Sequence, residues 1–83
     1  MSTRTLREIR LDHLLSVREL AEAADITPKT LTDIELGKRM PTYETMRNLC
    51  RVLGIEAHDV TEFVTTIQAR ARRISDEVAG ILL

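Results

Sequence analysis

Two clusters of cations stand out among the side chains suited to bind a partner, Lys38-Arg39 and Arg70, Arg72 and Arg73, together with Lys29 among the hydroxyls of Thr27, Thr30 and Thr32. The groups that usually catalyse are scattered. His13 and His58 each stand beside an aspartate, Asp12 and Asp59, but adjacent residues on a helix do not face each other, so neither makes a catalytic dyad. Both read as solvated or helix-terminal histidines. Cys50 falls on an apolar helical stripe and reads as a small buried hydrophobe rather than a redox sensor. With two His and one Cys there is no metal-ligand cluster and no internal disulfide. No glycine-rich run is present to cradle a phosphate. The expectation is a protein that binds rather than catalyses, with no enzyme activity, no metal, no cofactor and no evident small-molecule ligand.

Composition narrows what it binds. The 83 residues, 43% hydrophobic and 30% charged, admit one domain with a modest core, for which a second copy would add burial. Twelve Lys+Arg against thirteen Asp+Glu give a net charge of −1, which excludes a polybasic tail. Any nucleic-acid binding must come from local placement of cations. One Phe, one Tyr and no Trp disfavour single-strand binders that stack bases on aromatic platforms. No apolar run approaches the ~20 residues of a membrane span, and Met1 to Arg10 lacks the apolar centre of a signal peptide. The expected compartment is the reducing cytoplasm, with no membrane partner.

The elements that position these side chains are all helical. The first is expected from about Thr3 to His13, with Leu6, Ile9 and Arg10 on one face. Ser16 and Glu19 form a capping box, and Leu15 and Leu20 a hydrophobic staple, so a second helix starts at Ser16 with Leu20, Ala21 and Ala24 inward. Thr27 as N-cap, Pro28 at the first helical position and the Ile26/Leu31 staple start a third helix. Only Asp25 to Thr27 separate the two, so the chain turns sharply, and Asp25 tolerates the left-handed conformation this needs. That is a helix-turn-helix candidate. Gly37 ends the third helix, Lys38 to Pro41 form a loop, and Thr42 caps a fourth helix carrying Met46, Leu49, Cys50 and Leu53 until Gly54 closes it. From about Ala57 an apolar stripe of Val60, Phe63, Val64, Ile67, Ala71, Ile74, Val78 and Ile81 continues at helical spacing, with Gly80 as its expected end. A stripe this long needs a cover, and a second copy of the chain is the simplest one. Arg70 interrupts the seam, which favours helix pairing over a sustained coiled coil. Arg70, Arg72 and Arg73 are expected to make surface pairs with Asp76 and Glu77, with a nucleic-acid contact as the other reading of this cluster.

The ordered set of Leu6-Arg7-Glu8-Ile9-Arg10, Ser16-Val17-Arg18-Glu19-Leu20-Ala21, Ile26 through Arg39, Pro41 and Leu53-Gly54-Ile55 resembles the phage repressor and Cro helix-turn-helix family. That family includes XRE-like small bacterial regulators and restriction-modification controller proteins. The resemblance covers about residues 4–64 and implies an all-α, five-helix fold in which the third helix enters the major groove of double-stranded DNA and dimers read half-sites about one helical turn apart. Residues 1–64 are then the DNA-binding domain, and residues 65–83 a helical extension that makes a homodimer through the stripe above. No separate ligand-binding domain is evident, so a signal would act through concentration, proteolysis or a partner.

Carried over residue by residue, the resemblance pairs Arg10 with Glu35 in a largely buried structural ion pair. Thr27, Lys29, Thr30, Thr32 and Asp33 map to the exposed start and outer face of the third helix, as candidate base contacts. Lys38, Arg39, Thr42 and Tyr43 are the candidate phosphate anchors, since cations and helix N-termini converge there. Arg18 either joins them or pairs with Glu22. Val17 stands where the family usually has a DNA-bonding Gln, Pro28 has no donor, and Asp33 repels phosphate. Leu14 and Asp25 replace frequent turn glycines. Each subunit is therefore expected to bind modestly and to rely on dimer avidity. The implied function is a sequence-specific, dimeric transcriptional repressor. The other reading is a protein-interaction module of the same fold, an antitoxin or antirepressor-like partner. The acidic net charge, Val17, Pro28 and Asp33 favour it, and the loop cations speak against it.

Overall fold

The computed structural model describes residues 3–82, with side chains described through Ile74. Five α-helices follow in order: α1 (Leu6–Asp12), α2 (Val17–Ala23), α3 (Pro28–Glu35), α4 (Tyr43–Leu53) and α5 (Thr61–Leu82), with a 3-10 helix at Ala57–Asp59 before the last. Leu6, Leu20, Leu31, Leu49, Val60 and Phe63 have no exposed surface and form the centre of the core.

The first four helices have 7, 7, 8 and 11 residues, too short to persist alone in water, so their ends must be fixed by caps and their faces by burial. Each N-terminus has the same solution. Thr5, Ser16, Thr27 and Thr42 are extended N-caps whose hydroxyls accept from the backbone N–H three residues on. At Ser16 the cap is reciprocal: Glu19 returns a carboxylate oxygen to the Ser16 N–H at 3.0 Å. That N–H, and then the Ser16 hydroxyl, hold the Glu19 carboxyl below the usual glutamate range.

The C-termini also share one device. Leu14, Asp25, Gly37 and Gly54 all have positive φ, at 58°, 60°, 76° and 64°. After each, the next N–H reaches back to close the end of its helix: Leu15 to the Arg10 carbonyl, Ile26 to Ala21, Lys38 to Asp33 and Ile55 to Cys50. These are Schellman closures, satisfying carbonyls that a helix end leaves open. Three of the residues that follow, Leu15, Ile26 and Ile55, then pack on the core, so each turn also feeds hydrophobic burial.

The chain departs from the sequence expectations at three places. Helix α1 begins at Leu6 rather than near Thr3, because Arg4 lies extended beside Val60 and exchanges backbone bonds with Asp59 and Thr61 at 3.1 and 2.9 Å. The Leu6 N–H then donates to a Glu62 carboxylate oxygen at 2.9 Å, a helix cap supplied from 56 residues away. The apolar stripe is not one helix from Ala57, since Val60 is extended (φ −110°, ψ 120°) between the 3-10 turn and α5. Finally, α5 continues through Gly80 to Leu82; a single helical glycine costs only about 1 kcal/mol and does not by itself stop a helix.

Leu14 is the strained position among the four closures. A non-glycine residue in the left-handed region costs about 1–2 kcal/mol, and at 90% exposure its side chain recovers little by packing. Leu14→Gly removes that strain at an unfolded-state entropy cost of roughly 0.5–1 kcal/mol. The variant is expected to be more stable by up to about 1 kcal/mol, a rise of a few degrees in melting midpoint, measured by thermal denaturation. A lower midpoint would contradict the strain.

Candidate nucleic-acid interface

Helices α2 and α3 are joined through the left-handed turn at Asp25, and the Asn48 amide of α4 donates to the Ala24 carbonyl at 3.4 Å, holding the turn from outside the pair. Helix α3 buries Leu31 and Ile34. The opposite face is thereby turned outward: Thr27, Pro28, Lys29 and Thr32 are exposed, and Thr30 and Asp33 are half-buried.

Arg10 fixes the far end of α3. Its Nε donates to Glu35 Oε2 at 2.8 Å and its second terminal nitrogen to Oε1 at 3.0 Å, while the first donates to the Leu15 carbonyl at 3.0 Å. The two side chains are 9% and 6% exposed. Hydrogen bonding to Glu35 raises the Arg10 pKa above its ordinary value; desolvation opposes this and the Glu35 charge adds to it. The paired geometry is the one expected for these two positions.

On the outer face several polar groups already have partners. Lys29 Nζ lies 3.4 Å from Asp33 Oδ2, one helical turn on. Lys29 is 86% exposed along its side chain, so this is a solvent-screened pair that a better acceptor can displace. The Thr27 hydroxyl accepts from the Thr30 N–H and donates to the Thr30 hydroxyl. Thr42 does the same with Thr45. The Thr27 and Thr42 side chains are therefore committed to capping.

Beyond α3, Leu36 through Met40 are exposed, so Lys38 and Arg39 stand in solvent, whereas Pro41 is buried and pins the loop where it enters α4. Tyr43 is also exposed, at the first position of α4, and the Arg70 guanidinium of α5 lies over its ring, 4.1 Å from the centroid. Arg18 is exposed in the first turn of α2, and no ion pair joins it to Glu22 among the described residues. Val17 packs against the core. Lys29, Thr32, Lys38, Arg39 and Tyr43 are thus all exposed on α3, the loop that follows it and the start of α4. Asp33 is set back beside Lys29.

A chain whose short α3 is locked by a buried ion pair, turned outward and followed by a cationic loop can be compared with known proteins. Residues 6–60 match the helix-turn-helix family. The chain belongs to that family. This helix-turn-helix chain is 39% identical over 59 residues to the HTH-type transcriptional regulator DdrOP3 of Deinococcus deserti, a match that covers 71% of the chain and 46% of that relative. Its fold is similar to the crystal structure of the clp gene regulator ClgR from Corynebacterium glutamicum, with a TM-score of 0.64, 31% identity, and coverage of 93% of this chain and 81% of that one.

Other side chains have structural places. His13 puts its two ring nitrogens 2.9 Å from the Ile9 and Leu53 carbonyls, tying the end of α1 to the end of α4. His58 lies 3.1 Å from Glu56 and 3.6 Å from Asp59; the tight 3-10 turn brings neighbours together that an α-helix would separate, and the group is exposed. Cys50 packs partly against the core, and burial, then the Asp59 charge, push its thiol pKa up. The expected pairing stripe is narrower than its sequence spacing suggests. Val60 and Phe63 are sealed in the core and offer no surface to a partner, because α5 docks through them. Ile67 packs at the core edge, and Val64 is half-buried. Ala71 is exposed and Ile74 is 49% exposed. The side chains of Val78 and Ile81, and those of Asp76 and Glu77, lie outside the described residues.

The sequence did not signal that Arg70 meets Tyr43 or that Glu62 caps α1, since both contacts join distant segments. Its local caps were legible, and they set a test. Thr42→Ala is expected to cost about 1 kcal/mol of stability, and Thr42→Ser, which keeps the oxygen, to cost much less, in equilibrium chemical denaturation. Equal losses in the two variants would contradict the capping role.

Proposed function

We propose that this chain is a sequence-specific, double-stranded-DNA-binding transcriptional regulator that acts as a homodimeric repressor in the cytoplasm, by occupying an operator. The observation that carries this reading is the outward face of α3 with Lys38, Arg39 and Tyr43 beside it. A protein of net charge −1 gains nothing from bulk attraction to DNA, so binding must rest on local placement of cations, and Lys29, Lys38 and Arg39 are exposed on α3 and the loop after it. In this reading Lys29 and Thr32 face base edges, with Thr30 and Asp33 at the margin, Asp33 accepting from a cytosine amine. Arg18, Lys38, Arg39 and Tyr43 contact phosphates. The committed hydroxyls of Thr27 and Thr42 leave those residues to contribute through helix geometry, by orienting N-terminal backbone N–H groups.

Residues 1–64 then serve as the reading domain and residues 65–83 as the pairing extension. Val64, Ile67, Ala71 and Ile74 supply the pairing surface, continued by Val78 and Ile81 in the sequence pattern. DdrOP3 and ClgR, both regulators by name, support the regulatory reading. Because the chain spans 46% of DdrOP3, the activity of that whole protein comes to this chain only as part of this proposal.

Selection of bound duplexes from a random-sequence pool tests the reading. The expected product is a two-fold symmetric motif with half-sites about 10–11 base pairs apart. Repeating the selection with Lys29→Ala is expected to relax one position of each half-site by about 1–3 kcal/mol. Uniform weakening across sequences would reassign Lys29 to a phosphate. No enrichment with folded protein would favour the protein-interaction module. For the pairing surface, Ile74→Asp is expected to shift sedimentation from dimer to monomer; an unchanged dimer would move the interface elsewhere.

A further inference from the structure

The geometry points to Arg70 and Arg73 as a second phosphate-binding patch, one in which α5 extends the DNA contact beyond the helix-turn-helix. This rests on the DNA-binding reading above. Thr66, Ala69, Arg70 and Arg73 fall at i, i+3, i+4 and i+7, one face of α5. That face borders a hollow of about 330 Å³ whose other wall is the loop end and first turn of α4, including Pro41, Thr42 and Tyr43. Ala69 keeps the hollow open between the two arginines.

Two features fit this hollow to a phosphate diester backbone. First, its described lining holds two arginines and no carboxylate, in a chain where acids outnumber bases thirteen to twelve. Arg72, two positions along the helix, does not line it. Second, Arg70 lies with its guanidinium carbon 4.1 Å from the centroid of the Tyr43 ring. A guanidinium held over a ring by cation–π attraction keeps the N–H groups that point away from the ring available to pair oxygens of an anion. The stack also holds the side chain in place, lowering the entropy lost when phosphate is bound.

The patch is continuous with the proposed interface. Tyr43 belongs both to the anchor set and to the wall of this hollow, and exposed Lys38 and Arg39 precede it on the same loop. A duplex laid on α3 and the loop would therefore meet Arg70 and Arg73 through the strand whose phosphates pass Tyr43. The pairs with Asp76 and Glu77 that sequence spacing suggests are surface pairs, which phosphate can displace.

The test is the salt dependence of binding to the duplex recovered by selection, for the full chain and for Arg70→Gln, Arg73→Gln, Arg70→Lys and Arg72→Gln. Each phosphate contact contributes about 0.9 to the slope of log affinity against log salt. Arg70→Gln and Arg73→Gln are each expected to lower the slope by about one per protomer, weakening all duplex sequences alike. Arg70→Lys is expected to keep the slope and Arg72→Gln to behave as wild type. Circular dichroism and melting verify folding; if Arg70→Gln is unfolded, Arg73→Gln carries the decision. Wild-type slopes in folded Arg70→Gln and Arg73→Gln, with DNA bound, would overturn this inference alone. Failure of the wild type to bind any duplex would overturn the DNA-binding reading, and this inference with it.

Discussion

The orientation of α3 depends on one guanidinium. Arg10 reaches from α1 to both oxygens of Glu35 at the last position of α3 and, with its remaining terminal nitrogen, to the Leu15 carbonyl that leads into α2. Three helices are thus referenced to a single planar group. Desolvating two charges is expensive, and such a pair is tolerated only when geometry is good and other donors are used. Both conditions hold here, since the contact is bidentate and the third bond goes to backbone. An apolar replacement of similar volume could hold the same core without fixing α3 to the turn before α2. The pair is therefore best understood as orienting α3 rather than adding net stability.

Around that fixed point the molecule is held by repeated local devices. Four Ser or Thr N-caps and four left-handed closures bound four short helices, so little chain is left free to blur the angle between α2 and α3. The two closures without glycine differ in consequence. Aspartate tolerates the left-handed region because its short polar side chain can bond locally, whereas leucine carries strain. Long-range ties then close the bundle: Glu62 caps α1, His13 joins the ends of α1 and α4, and the Arg4 segment lies along Val60. The surface left for function is the one these ties do not use.

What the sequence made legible follows from range. Ser16 with Glu19, Thr27 with Pro28, Thr42, Gly37 and Gly54 are signals read within four residues, and each marks the helix end expected of it. The buried partnership of Arg10 and Glu35, 25 residues apart, was accessible only through the family resemblance. Glu62 on the Leu6 N–H and Arg70 on Tyr43 had no local signature, because nothing in either segment specifies the other. The same limit explains Val60 and Phe63: helical spacing identifies an apolar stripe but does not say where the stripe stops facing its own core. Residue type alone does not sort the hydroxyls, since a threonine at a helix start looks alike whether it caps, contacts a partner or does both.

In the function proposed above, α3, the Lys38-Arg39 loop and the start of α4 form one DNA-binding face. Backbone amide chemical-shift mapping by NMR, with the selected duplex titrated into labelled protein, tests it most directly. The largest shifts are expected at Arg18, at residues 27–33 and at residues 38–43, with the exposed face of α1 unchanged. Shifts concentrated on α1 or on the outer face of α4, with α3 and its loop silent, would contradict it.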